Sequence, residues 1–194
     1  MPNSSPAPLI YDGAIHGDSR KILNQTFEQQ LIANITPVQA TNPTSATNLQ
    51  TAILQAGTLS RVGQSLEIFG AGIVNLTTTT SAATFAVVLG GVTIATFTTT
   101  AFAIALNLGW NLTITATVVS VDSGGNITLE THGSLSAATT TAAGAIAGFN
   151  DVNIAVSSSI AAGSALTLAF TGLLAAGNAA SFINQRQLLA ELLN

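Results

Sequence analysis

Beyond residue 50, apolar residues alternate with Thr, Ser and Asn in short runs separated by glycine-rich punctuation. Alternation at period two marks a half-buried β-strand. Leu66 and Ile68, followed past Gly70–Ala71–Gly72 by Ile73 and Leu76, form the first clear run, and the change of phase at the glycines predicts a bulge or corner. After the connector Thr77–Thr80, Phe85, Val87 and Leu89 alternate up to Gly90–Gly91, and Val92 and Ile94 alternate away. Two glycines between alternating strands predict a tight hairpin. Phe102, Ile104 and Leu106 come next. Trp110 then opens a strand with Leu112, Ile114, Ala116 and Val118 on one face and Thr113, Thr115 and Thr117 on the other. Asp122–Ser123–Gly124–Gly125 turns it into Ile127, Leu129 and Thr131, a second hairpin. Val152, Ile154 and Val156, then Leu166, Leu168 and Phe170, bring the count to about eight strands with no helix between them, the pattern of an antiparallel jelly roll or β-sandwich.

The two ends read differently. All five prolines (Pro2, Pro6, Pro8, Pro37, Pro43) lie in the first 43 residues. Proline removes a backbone donor and is avoided in central strands, so 1–50 reads as an extended N-terminal arm and 51–177 as the β domain. Within the arm, Phe27 to Ile35 has room for two helical turns before Pro37. From Ser181 to Asn194 the apolar spacing becomes helical, with Phe182, Gln185, Leu188, Leu189 and Leu192 on one face and Ser181 as N-cap. This predicts a short C-terminal helix within 178–194, marginal unless it packs on a partner surface. The apolar residues of the two end segments, Phe27, Leu31, Ile32 and Ile35 in the arm and Phe182, Leu188, Leu189 and Leu192 in the helix, are the candidate partner-binding residues.

Composition sharpens this. Only 6% of the 194 residues are charged, against roughly 25% in ordinary soluble domains. Ala, Thr, Ser and Gly make up almost half the chain, and mean hydropathy is +0.53. Four basic residues, Arg20, Lys21, Arg61 and Arg186, leave no electrostatic footprint for nucleic acid. The absence of cysteine excludes disulfides, zinc-thiolate sites and a cysteine nucleophile. The uncharged stretches 68–121 and 152–185 are interrupted by Gly, Thr, Ser and Asn too often for a membrane helix, and the aromatic girdles of an outer-membrane barrel are missing. No membrane partner is expected. A surface so poor in charge is suited to lying against neighbouring molecules.

Chemistry-bearing residues are sparse. His132 and Glu130 share a strand face, but as a pair they lack a specified nucleophile, and an ordinary strand histidine accounts for the position. Asp122 and Asn126 flank a glycine turn, where turn chemistry explains the carboxylate without a calcium ion. Glu67, Glu130, Asp122 and Asp151 are the available acids for glycoside hydrolysis, and nothing in their spacing brackets a site. Gly70–Ala71–Gly72 lacks the third glycine and the following helix of a phosphate-binding loop. Trp110 offers a platform for a sugar or a large core side chain; core filling is the reading adopted. No catalytic, cofactor or metal site is expected.

The succession Gly57–Thr58–Leu59, Gln64–Ser65–Leu66–Glu67–Ile68–Phe69–Gly70–Ala71–Gly72, Leu89–Gly90–Gly91, Trp110 opening a Thr-alternating strand, and Gly125–Asn126–Ile127 leading to His132–Gly133 resembles the jelly-roll structural proteins of tailed bacteriophage virions. These include capsid cement (decoration) proteins and head-fibre proteins. The resemblance spans roughly 57–135. It implies a non-enzymatic protein on the capsid exterior that binds the major capsid protein and itself as a homo-oligomer, most simply a trimer. The arm and the C-terminal leucines would serve as anchors. The alternative reading is a head-fibre or receptor-recognition protein that binds host glycans.

Overall fold

The computed structural model describes residues 28–77, 80–101, 105–138 and 148–193. Among them are eleven strands and no helix: β1 Glu28–Asn34, β2 Val38–Thr41, β3 Thr47–Leu54, β4 Ser65–Leu76, β5 Ala83–Leu89, β6 Val92–Thr98, β7 Ala105–Val121, β8 Ile127–Ala138, β9 Gly148–Val156, β10 Leu166–Leu174 and β11 Phe182–Leu193. All pairings are antiparallel. The larger sheet runs β1-β11-β4-β7-β8-β9, with β2 also paired to β11, and the smaller runs β3-β10-β5-β6. β1 and β2 share one edge of β11, β1 along Leu188–Leu193 and β2 along Phe182–Gln185.

The alternation seen in the sequence places the core between the sheets. Leu66, Ile68, Val74 and Leu76 of β4, and Leu112, Ile114, Ala116 and Val118 of β7, face Phe85, Val87 and Leu89 of β5 and Leu168 and Phe170 of β10, all almost fully buried. Each such Val, Leu, Ile or Phe side chain contributes about 1.5–3 kcal/mol by leaving water. Trp110 is 3% exposed and bridges the layers, with its ring 4.6 Å from Phe85 and 6.4 Å from Phe170 between centroids. It fills the core, as the sequence indicated. One buried polar side chain ties the sheets together on each flank. Thr131 of β8 donates to the Ile94 carbonyl of β6 at 2.8 Å, and Gln50 of β3 donates to the Thr36 carbonyl at 2.5 Å.

Both predicted hairpins form. Gly90 and Gly91 take φ of 58° and 83°, the left-handed pair that joins β5 and β6. The Asp122–Asn126 turn joins β7 and β8.

Three expectations are corrected. The C-terminal segment is strand β11, not a helix. Its inward residues are Ile183, Gln185, Leu188, Ala190 and Leu192, and the step of three between 185 and 188 is a bulge at Arg186. That single inserted residue turns a period of two into spacings of three and four, which imitate a helical face. Ser181 is buried and accepts a backbone hydrogen bond from Asn42 instead of capping a helix. Glu28–Asn34 is likewise strand β1, not helical turns, because it pairs along β11. Finally, β4 itself carries no bulge at its glycines. Its register with β7 is unbroken from Ser65 to Val74, and the bulge lies on the facing strand β11. Gly70 and Gly72 instead make room for rings: a Cβ at Gly70 would lie 2.6 Å from Phe170 Cζ, and one at Gly72 2.8 Å from Trp110 Cζ2.

Candidate partner-binding surfaces

The strand framework sorts the candidate residues by the parity of their positions. Of the C-terminal set, Leu188 and Leu192 point into the core, at 0% and 6% exposure, while Phe182 and Leu189 are half-buried on the outer side of the large sheet. Of the arm set, Ile32 is buried, Leu31 packs partly against the core, and Ile35 is 73% exposed in the turn after β1. Phe27 lies outside the described residues. The eight candidates therefore do not form one patch.

Two surfaces emerge that the candidate set only touched. The first is one end of the molecule. β3, β5, β7, β9 and β11 finish there, and β1, β4, β6, β8 and β10 begin there. Its loops are stitched by backbone hydrogen bonds from Gly57 to Ala162, Gly63 to Val118 and Gly90 to Thr167, and by the Ile127–Ile160 bridge. Of the six exposed large aliphatic residues among the described ones, five are here: Ile53, Val62, Val119, Val121 and Val156. Beside them is an open groove of about 780 Å³, lined by Leu31, Leu192 and the 55–64 loop with Arg61. Residues 1–27 join the fold at this end, through Glu28. Sequence patterning missed this cluster because its members come from four separate segments.

The second surface is the outer face of the large sheet. Along β7 and β8 it is hydroxyl- and amide-bearing, with Asn111, Thr113, Thr115, Thr117, Ser134 and Ser136. Along β4 and β11 half-buried Phe69, Ala71, Ile73, Phe182, Leu189 and Leu193 alternate with Glu67, Asn184, Arg186 and Glu191. Phe69 stands opposite Leu189, and Glu67 opposite Glu191. These four line a hollow of about 210 Å³. A broader depression of about 440 Å³ adjoins it, with Phe69 at one side and Asn111 and Ser136 in register across the strands.

His132 and Glu130 also lie on this face. His132 Nε2 is 2.7 Å from Glu130 Oε1, with both side chains largely in solvent. Among the described residues no serine or threonine hydroxyl is hydrogen-bonded to the imidazole to complete a nucleophile–base pair. Among the described residues no group of three His, Asp or Glu side chains converges as a metal site. Asp122 Oδ1 accepts from the Gly124 and Asn126 amides, and Oδ2 accepts from Asn126 Nδ2 at 2.8 Å. The Asn126 side-chain bond, with these backbone bonds, holds the carboxyl below its ordinary value. This is turn chemistry, as the sequence indicated.

No protein-family model matches the chain, and no curated protein matches it. Among solved structures, the chain is similar to the CBM2 module of the evolved Dit of Lactobacillus casei BL23 phage J-1, at 8% identity, with 85% of this chain and 96% of that chain covered and a TM-score of 0.34. Similarity at that level carries no conclusion about function.

Proposed function

We propose that the chain is a non-enzymatic structural protein of a tailed-bacteriophage virion, a cement or decoration protein that sits on the capsid exterior and binds the major capsid protein. The strand order supports the jelly-roll part of this reading. The chain passes from β3 in one sheet to β4 in the other and back to β5, and its last two strands each enter the middle of a sheet. That is the jelly-roll path with β8 and β9 added at one edge. The observation that carries the functional reading is the aliphatic end, where five exposed branched side chains lie at the same end of the fold as Glu28, to which a 27-residue proline-bearing segment is joined. Exposed apolar patches on a soluble body mark interaction sites. An end that joins such a patch to a tether suits attachment to a lattice, where repeated modest contacts add up.

The test is binding of the full chain to heads, purified without it, of the phage that encodes it. Sedimentation with those heads is expected, and removal of residues 1–27 or the double change Val62→Asp with Val156→Asp is expected to weaken it at least tenfold. Unchanged sedimentation of both variants would overturn the anchoring role of this end. A deletion as far as residue 50 is unsuitable, because it removes β1, β2 and half of β3.

A second reading, a head-fibre or receptor protein that binds host glycans, draws on the uncharged depression beside Phe69. Its Asn111 amide and Ser136 hydroxyl are suited to a neutral sugar. Glycan-array binding by the full chain that is lost in Asn111→Ala would favour it over the cement role.

A further inference from the structure

We infer that the outer seam of β4 and β11 is where a second copy of this chain packs, with the two seams antiparallel about a two-fold axis. The seam is the part of this face that carries large apolar side chains, set among a few charges. Phe182, Ile73, Phe69, Leu189 and Leu193 follow it from one end of the sheet to the other. Position parity alone puts them outside, since their immediate neighbours Ile183, Val74, Ile68, Leu188 and Leu192 fill the core.

Charge identifies the occupant. Glu67 and Glu191 face one another directly across the strand pair, and like charges in that position are destabilising. The fully outward Arg186, the extra residue of the bulge, precedes Glu191 by five positions on the same strand. Among the described residues none of the three has an ion-pair partner. The spacing is self-complementary. A two-fold axis passing between Leu188 and Leu189 exchanges position 186 of one copy with position 191 of the other. Each guanidinium then meets the partner's Glu191 and, one strand across, the partner's Glu67. The same operation lays Leu189 of each copy against the hollow formed by Glu67, Phe69, Leu189 and Glu191 in the other. An isologous contact satisfies both copies with one patch, and complementary charges fix its orientation.

This gives the self-association implied by the resemblance a surface, with two copies in place of the expected three, and the test is separable from the virion reading because it needs no capsid. The native chain is expected to run in light scattering at twice the mass of the 19.5 kDa chain. Leu189→Asp is expected to yield a folded monomer, with unchanged far-ultraviolet circular dichroism. Should that variant fail to fold, the charge exchange decides: Arg186→Glu and Glu191→Arg are each expected to raise the dimer Kd at least tenfold, and the two together to restore it. A monomeric native chain, a mass of three copies, or a double exchange no better than the singles would overturn the proposal. Failure of capsid binding with an intact dimer would leave this seam standing and overturn the virion reading.

Discussion

The two sheets bury equivalent inner faces but present different outer ones. The four strands of the smaller sheet hold no charged residue, and their outward positions are mostly threonine (Thr51, Thr84, Thr93, Thr96, Thr98, Thr167 and Thr171), with Asn48, Ile53, Ala86 and Val88 among them. Every strand charge (Glu28, Glu67, Glu130, Asp151, Arg186 and Glu191) belongs to the larger sheet. The larger sheet also carries the outward Phe69, Phe182 and Leu189. A threonine carpet is weakly polar everywhere and names no direction. A few charges set beside large apolar side chains name both a partner and its orientation. The charges carried by the described strands are therefore gathered in one sheet.

That contrast can be attacked first at the core the two faces share. Gly72→Ala would drive a methyl into the Asn184 backbone and the Trp110 ring, and is expected to abolish the cooperative thermal transition followed by circular dichroism. Phe170→Ala, on the inner face of the smaller sheet, is expected to cost about 3–5 kcal/mol in denaturant unfolding. A third comparison uses adjacent leucines of one strand. Leu188→Ala, inward and fully buried, is expected to cost about 2–5 kcal/mol. Leu189→Ala, outward, is expected to weaken association and to change monomer stability by less than about 1 kcal/mol. Equal stability losses would mean that parity does not separate the two roles. On the smaller sheet, Thr167→Lys is expected to move stability by no more than about 0.5 kcal/mol and to leave the dimer mass unchanged; dissociation would shift the interface to the threonine face. The smallest effect concerns pH. Asp122 is held below its ordinary 3.8 by Asn126, so its contribution is complete above that value and fades as pH falls through the lowered one. Amide exchange at Gly124 and Asn126 is expected to accelerate only in that acidic range, and to lose this dependence in Asp122→Ala.

Much of the fold is legible in the sequence, because period-two alternation with glycine turns is a local signal. The hairpins at Gly90–Gly91 and Asp122–Gly125 and the inward side of Trp110 all follow from it. The misread segments share a cause: what settles them is pairing with residues far along the chain. Leu188 and Leu189 read as one helical face until β4 and β1 flank them and Arg186 absorbs a residue. Gly70 and Gly72 read as a corner until rings from β7 and β10 occupy their surface. The candidate surfaces were half legible. Their apolar residues are conspicuous, but which of two neighbours faces outward depends on where the bulge falls. The aliphatic end gathers Ile53, Val62, Val119 and Val156 across a hundred residues of sequence, and no window contains it.

The position of the last two strands has a consequence for how the molecule is made. β10 lies between β3 and β5, and β11 between β1/β2 and β4. Both sheets thus receive a central member from the final 29 residues of the chain. While a nascent chain emerges from the ribosome, neither sheet can close, and the edges of β4 and β5 wait unpaired. Closure joins partners over 100 residues apart, as with Leu193 and Ser65, and such non-local pairing is slow. A chain stopped before Phe182 would hold an open slot the width of one strand. An unpaired edge of that kind is a template for any free strand, so truncated products of this gene would be prone to aggregate.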